Sequence, residues 1–240
     1  DYTQKSERSI EDLVPKNASI VLSINSLDGF LSATTNNALF TKTGVFNSLK
    51  TALKPLDSIK SLSPLLVSIT KEGTSKVFTF ITHKRNLNAK DTLLIPHLTI
   101  DSILVASTSK AILEPLKTQL SSDYSNVSKL HQNSNTFSVY CKTFPALKSV
   151  QELNLESVYF GFDVTPESII INGTLLNQKL QSKWLTLFEG LEPQTQSLQG
   201  IIPAQSTRVK TFTYTDFEQL NRNIDSTGYS SKITPLAKAF

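Results

Sequence analysis

The sequence contains no methionine, one cysteine and eight glycines among its 240 residues. The single cysteine, Cys141, excludes a small scaffold held by disulfides. The glycines form neither of the two common phosphate-binding loops, and no Gly-x-Ser-x-Gly turn of a hydrolase occurs. No apolar run approaches the roughly 18–20 residues of a membrane-spanning helix. We therefore expect no cofactor and no membrane span within this sequence.

Residues suited to metal binding or catalysis are few and scattered. The histidines, His83, His97 and His131, occur in no spacing typical of zinc ligands, so we expect no metal site. Cys141 lies in an apolar, strand-like run, which is typical of a buried thiol, although a spatial pair with His131 stays open. Acidic pairs such as Glu11-Asp12 are typical of solvated surface. The sequence thus indicates no catalytic residue. This favours the interpretation that the protein is not an enzyme.

The beginning of the chain predicts a tether. The sequence starts at Asp1 without an initiator methionine, which indicates a piece of a longer product. Residues 1–12 are polar apart from Tyr2 and Ile10. Two origins fit such a segment: the remainder left after a signal or anchor was removed, and a trimmed domain boundary. The remaining chain is long enough to bury a sizeable core, since a protein of this length buries roughly 70–75% of its unfolded surface.

Hydrophobic periodicity predicts strands and helices in the first half of the chain. Ser26 is placed to cap the first helix, and Pro55 interrupts the second. The predicted elements are a strand over 18–24, a helix over 26–37, an amphipathic stretch over 46–59, a hairpin of strands 65–70 and 76–82, a strand over 102–107 and a helix over 109–120. Residues 83–91 are predicted as a polar loop and 121–135 as a polar linker.

The second half predicts a similar series. Val158, Phe160 and Phe162 alternate with other residues at the period of a half-buried antiparallel strand. We place the following turn at 165–167 rather than at Asn172-Gly173, because both flanking strands then reach full length. The predicted elements are a strand over 137–142, a helix over 144–153, strands over 157–164 and 168–175, a helix carrying Leu180, Trp184, Leu187 and Leu191, a strand over 208–215 and a helix from Asp216.

These elements predict the α+β class, with antiparallel sheets and helices packed on one face. Each half follows a β-α-β-β-α order, and residues 15–19 align without gaps with 203–207, so we predict two quasi-repeated units. The predicted domains are a polar tether over 1–12, a first α+β unit over 13–125, a second α+β unit over 126–202 packed with the first, and the start of a further repeat-like unit over 203–240.

Basic residues are concentrated in residues 41–90. This segment contains nine basic residues and two acidic ones, Asp57 and Glu72. Such a segment can bind nucleic acid or an anionic surface. The weak candidates for this basic surface are Lys50, Lys54, Lys84 and Arg85. Nucleic-acid readers favour arginine, of which this segment has one, so the solvated side of amphipathic helices is the better interpretation and nucleic acid is not the expected partner.

Three short segments carry a resemblance to a known family. Leu13-Val14-Pro15 precedes a predicted strand, Ser107-Thr108-Ser109 leads into Ile112-Leu113-Glu114, and Gly200-Ile201-Ile202-Pro203 leads into a further strand. Over most of 13–220 the chain resembles an uncharacterised, lipoprotein-like cell-envelope family of Bacteroidetes with repeated α+β units. The resemblance implies an extracytoplasmic protein, periplasmic or on the outer surface, whose membrane anchor lies outside this sequence. It implies no catalytic residue.

The sequence leads to three hypotheses of different classes. The first is a non-enzymatic binding or scaffolding ectodomain of the bacterial cell envelope, with a protein or glycan as its partner. The second is a hydrolase or carbohydrate-processing enzyme whose carboxylates converge only in the fold. The third is a binder of anionic surfaces or nucleic acid through residues 41–90.

Overall fold

The computed structural model describes residues 8–44, 46–54, 64–86, 93–129, 135–142, 157–176, 186–192, 205 and 215–227. The chain divides into two compact units. One comprises residues 1–144 and 156–176, and the other comprises 145–155 and 177–240. Each unit is considered by itself below.

The first unit is built on one eight-stranded sheet in which every neighbouring pair of strands is antiparallel. Its strands are β1 Ile20–Ile24, β2 Leu65–Glu72, β3 Ser75–His83, β4 His97–Ile100, β5 Ile103–Ser107, β6 Phe137–Cys141, β7 Ser157–Val164 and β8 Ile169–Leu176. Their order across the sheet is β4-β5-β3-β2-β1-β6-β7-β8. With the helices described below, this sheet confirms the predicted α+β class.

Strand β1 lies near the middle of the sheet and joins the two halves of the chain. Leu22 is opposite Val67 of β2 on one side and opposite Val139 of β6 on the other. The order β3-β2-β1-β6-β7-β8 is the one that two antiparallel β-α-β-β units would give, although the internal repeat itself stays a prediction. The structure differs from the expected limits in that β6, β7 and β8, placed in a second unit over 126–202, share the sheet of the first.

The helices of the first unit are short, and side chains cap several of them. They are α1 Leu27–Asn36, α2 Ala38–Thr43, α3 Asn47–Leu53, α4 Lys110–Leu116 and α5 Asp123–Ser128. Ser26 accepts a hydrogen bond from the backbone N–H of Gly29, which confirms the predicted cap of α1. Asn37 then accepts from the N–H groups of Leu39 and Phe40, and this second cap starts α2 directly after α1.

Helices cover both faces of the sheet, whereas the sequence predicted helices on one face. Side chains of α1, α2 and α3 pack with Leu22, Val67 and Phe80 on the first face. Side chains of α4 and α5 pack with Val21 and Leu66 on the second. The physical reason is that successive side chains of a strand point to opposite faces of the sheet. Strands β1, β2 and β5 carry apolar residues at both odd and even positions, so both faces need cover.

Residues 8–14, most of which the sequence assigned to a polar tether, are part of the folded unit. Ile10 and Leu13 lie in a 3₁₀ turn, Ile10–Leu13, and are 4% and 0% exposed. Arg8 donates to the carbonyl oxygens of Lys117 and Gln119 after α4. Three buried apolar residues, Ile10, Leu13 and Val14, thus anchor this segment, although its other side chains are polar.

The predicted linker over 121–135 is also partly helical. Helix α5 lies within it, and Ser122 caps this helix by accepting from the N–H of Ser125. Tyr124 is 2% exposed and packs edge-on against Tyr140 at 5.6 Å between ring centroids. One buried aromatic ring therefore holds a short helix whose other residues are mostly polar.

Both predicted hairpins are confirmed. Strands β2 and β3 pair from Leu65↔Thr82 to Glu72↔Ser75. Strands β7 and β8 meet at Val164↔Ile169, so the turn lies at 165–168 and not at Asn172-Gly173. Gly173 is instead opposite Phe160, and a Cβ built on it would lie 2.5 Å from the ring. The glycine is thus required by the close approach of this ring.

Strand β4 is not predicted by the sequence. It pairs with β5 through the two-residue turn Asp101-Ser102, where Asp101 has a φ of 52°. Aspartate tolerates this left-handed conformation better than most residues, and Arg8 binds its carboxylate at 3.0 Å. With four residues, β4 is too short to show a clear period.

The described part of the second unit consists mainly of one helix. Helix α6 spans Phe217–Thr227, and Asp216 caps it by accepting from the N–H of Gln219. Asn223 donates to the carbonyl oxygens of Leu187 and Glu189, which ties α6 to the turn before it. The predicted helix over 144–153, almost all of the strand over 208–215, and Leu180 and Trp184 lie outside the described residues.

The attachment of residues 8–14 can be tested at Gln119. This side chain is 8% exposed and donates to the carbonyl oxygens of Asp12 and Val14, both at 2.7 Å. Gln119→Ala leaves both acceptors without this donor, so we expect the free energy of unfolding to fall by about 2 kcal/mol in urea titrations. Thr118→Ala is the matched control, because Thr118 is exposed and bonds only within its own turn. Equal stability of the two variants would contradict this role.

Candidate functional site

An apolar groove lies on the first face of the sheet, beside α2 and α3. Its volume is about 380 Å³. The residues that line it come from β1, β2, β3, β6 and β7 and from the segment 40–49: Ile20, Leu22, Phe40, Phe46, Ser48, Leu49, Val67, Ile69, Lys76, Phe78, Phe137, Val139 and Phe162. Two of these thirteen side chains, Ser48 and Lys76, are polar. Burial of hydrocarbon is therefore the main interaction that the groove offers a ligand.

The floor of the groove follows from strand alternation. Register places Ile20, Ile69 and Phe78 side by side on three neighbouring strands, all on the first face. Each of them is half-buried, although Val67 in the next row of the same face is fully buried. The short helices α1–α3 thus cover one part of the face and leave the neighbouring apolar row within reach of a ligand.

Aromatic rings form the wall of the groove. Phe46 packs edge-on against Phe137 at 5.6 Å and against Phe40 at 4.9 Å between ring centroids. Phe162 stacks on Phe137 at 4.6 Å. The Asn37 side chain fixes this wall, since it caps α2 and also donates to the carbonyl oxygen of Thr165 at 2.7 Å. These contacts preorganise the groove.

Two lysines stand at one end of the groove. Lys76 lines it, and Lys71 lies directly opposite Lys76 in the β2–β3 register, on the same face. Both side chains are exposed, and neither forms an ion pair with any residue that the structure describes. Glu72, the acidic residue next in sequence, points to the other face and accepts from the hydroxyl of Ser109.

The four basic candidates from the sequence occupy other places. Lys50 lies on α3 and donates to the hydroxyl of Thr35, and Lys54 is exposed at the end of α3. Lys84 and Arg85 are exposed in a 3₁₀ turn directly after β3. Because Lys76 lies at the start of β3, about 25 Å of strand separates it from Lys84. The structure thus places the basic residues of 41–90 at more than one location, and binding of anionic surfaces or nucleic acid stays a prediction.

Cys141 lies at the end of β6 and is 6% exposed. Burial raises the pKa of its thiol to about 11, the direction opposite to that of an activated nucleophile. His131, its possible partner, lies outside the described residues. His83 is half-buried at the end of β3, and His97 is exposed on β4 with its Nδ1 3.0 Å from the carbonyl oxygen of Ile95.

The carboxylates of the described residues are dispersed. Asp12 caps the 3₁₀ turn, Asp101 binds Arg8, and Asp123 binds Lys142. A second groove, of about 540 Å³ beside α4, is lined by one carboxylate, that of Glu72. Among the described ranges, no three His, Cys, Asp or Glu side chains are grouped so that they could hold a metal ion. The hydrolase hypothesis stays a prediction.

Comparison of the chain with protein-family models, with curated proteins and with solved structures finds no match. The resemblance to a cell-envelope family therefore stays a prediction. In the parts of the chain that the structure describes, no helix has both the length and the apolar character needed to cross a membrane.

The sequence analysis missed the groove, although part of its signal was present. On one face of the sheet, three strands carry successive apolar side chains: Leu65, Val67 and Ile69 of β2, Phe78 and Phe80 of β3, and Phe137 and Val139 of β6. What the sequence could not show is that the helices leave the row of Ile20, Ile69 and Phe78 half-buried. That outcome depends on where α2 and α3 lie on the sheet, and strand periodicity carries no information about it.

The raised pKa of Cys141 predicts a dependence of stability on pH. An unfolded cysteine ionises near pH 8.5, whereas the folded one keeps its proton up to about pH 11. Between these values the unfolded chain binds fewer protons, so stability falls as pH rises, by roughly 1–3 kcal/mol in total. The measurement is urea unfolding between pH 7 and about pH 10.5. Cys141→Ala keeps all tyrosines and is expected to show a shallower decline; parallel curves would contradict the prediction.

Proposed function

We propose that the protein is a non-enzymatic binding module whose apolar groove holds a hydrophobic group of a ligand or partner. The observation that carries this proposal is the lining of the groove, where eleven of thirteen side chains are apolar. A groove of this composition gains free energy from each apolar group that leaves water, roughly 25 cal/mol per Å².

The residues around the groove favour binding over catalysis. Its titratable side chain, Lys76, stands at one end and is exposed to water. The nearby Cys141 keeps its thiol protonated, because burial raises its pKa. Acid–base catalysis requires groups with a pKa near the working pH and within hydrogen-bond reach of a substrate, and the groove lining supplies none.

We place this binding module in the extracytoplasmic cell envelope, as a scaffolding or binding ectodomain. This part of the proposal rests on the resemblance of most of residues 13–220 to a lipoprotein-like family. The partner would be a protein or glycan of the envelope that carries an apolar group. Attachment to the membrane would occur through an anchor outside this sequence.

The proposal is tested by filling the groove. Val139 is half-buried on its floor, so Val139→Trp places an indole where the ligand would lie. We expect the affinity for Nile red, a neutral apolar dye, to fall by about tenfold or more, as measured by dye fluorescence. Thr174→Trp adds the same ring at an exposed position on the other face and is the matched control.

Circular dichroism and the urea midpoint show whether both variants are folded. If the wild type binds the dye and folded Val139→Trp binds it equally well, the dye occupies another surface and the proposal is wrong. If the wild type binds no dye at micromolar concentrations, the groove is not a binding site and the proposal is wrong as well.

A further inference from the structure

We propose that the ligand of the groove is a single-chain anionic amphiphile, such as a long-chain fatty acid carboxylate. Its tail would lie over Ile69 and Phe78, and its head would lie between Lys71 and Lys76. This inference rests on the proposed function, since it specifies the chemistry of the ligand that the groove accepts.

The polarity of the first face changes in one step along β2 and β3. Ile69 and Phe78 are opposite each other, and the next pair on the same face is Lys71 and Lys76. Because same-face residues of a strand are about 7 Å apart, the two lysines are the direct neighbours of the apolar floor along both strands. A ligand that extends along the strands would therefore meet hydrocarbon first and positive charge at its end.

The charge of the lysine pair favours binding of an anion. Two like charges directly opposite each other on neighbouring strands destabilise the sheet. Lys71 and Lys76 have no ion-pair partner among the described residues, and Glu72 is engaged with Ser109 on the other face. A carboxylate bound between the two ammonium groups would remove this repulsion and form charge-assisted hydrogen bonds with both.

The size of the groove selects a single chain. A volume of about 380 Å³ lies near the lower end of the range for small-molecule pockets. A bilayer does not fit this space, and a free phosphate would leave the apolar lining unused. The ligand must therefore combine one apolar tail with one anionic head.

The experiment compares two ligands that differ in their heads. Laurate and dodecanol, both below the concentrations at which they aggregate, displace Nile red from the wild-type protein. We expect laurate to bind more tightly, and the advantage to shrink when salt is raised from about 50 mM to 500 mM, because salt screens exposed charges. In Lys71→Gln/Lys76→Gln we expect laurate to lose about three- to tenfold in affinity, with dodecanol unchanged.

The matched control is Lys110→Gln/Lys129→Gln, which removes the same charge from exposed positions at α4 and α5 on the second face. This control is expected to bind laurate like the wild type. Charge reversal gives a gain of function: Lys71→Glu/Lys76→Glu is expected to prefer dodecyltrimethylammonium over laurate. Circular dichroism and the urea midpoint show whether this variant is folded, because a surfactant also binds unfolded chains.

The outcomes separate this inference from the proposed function. If Nile red binds in the groove but laurate and dodecanol bind equally and the lysine variants change nothing, the inference is wrong and the proposed function stands. If Nile red fails to bind, both are wrong. If the protein binds anionic phospholipid vesicles through Lys71 and Lys76 while laurate displaces no dye, the lysines serve a membrane surface and the inference is overturned.

Discussion

The pairing of β1 with β2 on one side and β6 on the other is the constraint on which the first unit depends. Five residues of β1 set the register of both halves of the sheet, from Ile20 to Ile24. Because strand side chains alternate, this register sends Leu22 to the first face and Val21 to the second. A slip of one residue on either side would move every apolar side chain of that half to the wrong face. Val21, Leu22 and Ile24 of β1 are buried, and such a slip would separate them from the side chains against which they pack.

Two-sided burial has a different consequence on each face. On the second face, α4, α5 and the 3₁₀ turn cover the sheet, and Gln119 binds the carbonyl groups of the segment that precedes β1. On the first face, the rings around Phe137 gather α1, α2 and α3 at one region. Short helices cannot cover eight strands, so the row from Ile20 to Phe78 remains half-buried. The groove is thus a product of how the helices are anchored, and its apolar floor is the ordinary inner face of the sheet.

The elements that could be predicted from the sequence are those with a long regular period. The strands of both hairpins, β2–β3 and β7–β8, and the caps of α1 and α6 follow from alternation and from Ser26 and Asp216. Strand β4 and helix α5 could not be predicted, because elements of four and six residues are too short to show a clear period. Tertiary structure stabilises both: the Asp101 turn pairs β4 with β5, and the contacts of Tyr124 hold α5. The helices on both faces had a signal that was overlooked: every residue of Ile103–Ser107 is buried, as its continuous apolar run indicates. The candidate site was not predicted, because the sequence does not show that Lys71 and Lys76 lie next to the apolar row. That position follows only from the β2–β3 register, which also separates these lysines from Lys84.

The two hairpins of the sheet show that the lysine pair is not a requirement of the fold. Around the β1–β6 pair, the β2–β3 hairpin and the β7–β8 hairpin occupy corresponding places. In the β2–β3 hairpin, the first-face pair nearest the turn is Lys71 with Lys76. In the β7–β8 hairpin, the equivalent pair is Val164 with Ile169. An apolar pair at the equivalent position forms a hairpin of the same kind, so turn formation does not explain two opposed positive charges. Two like charges directly opposite each other are an unfavourable cross-strand pair. A like-charge pair without an ion-pair partner among the described residues breaks a local rule of strand pairing, which is typical of functional positions. The asymmetry between the hairpins therefore supports the proposal that an anionic head binds between Lys71 and Lys76.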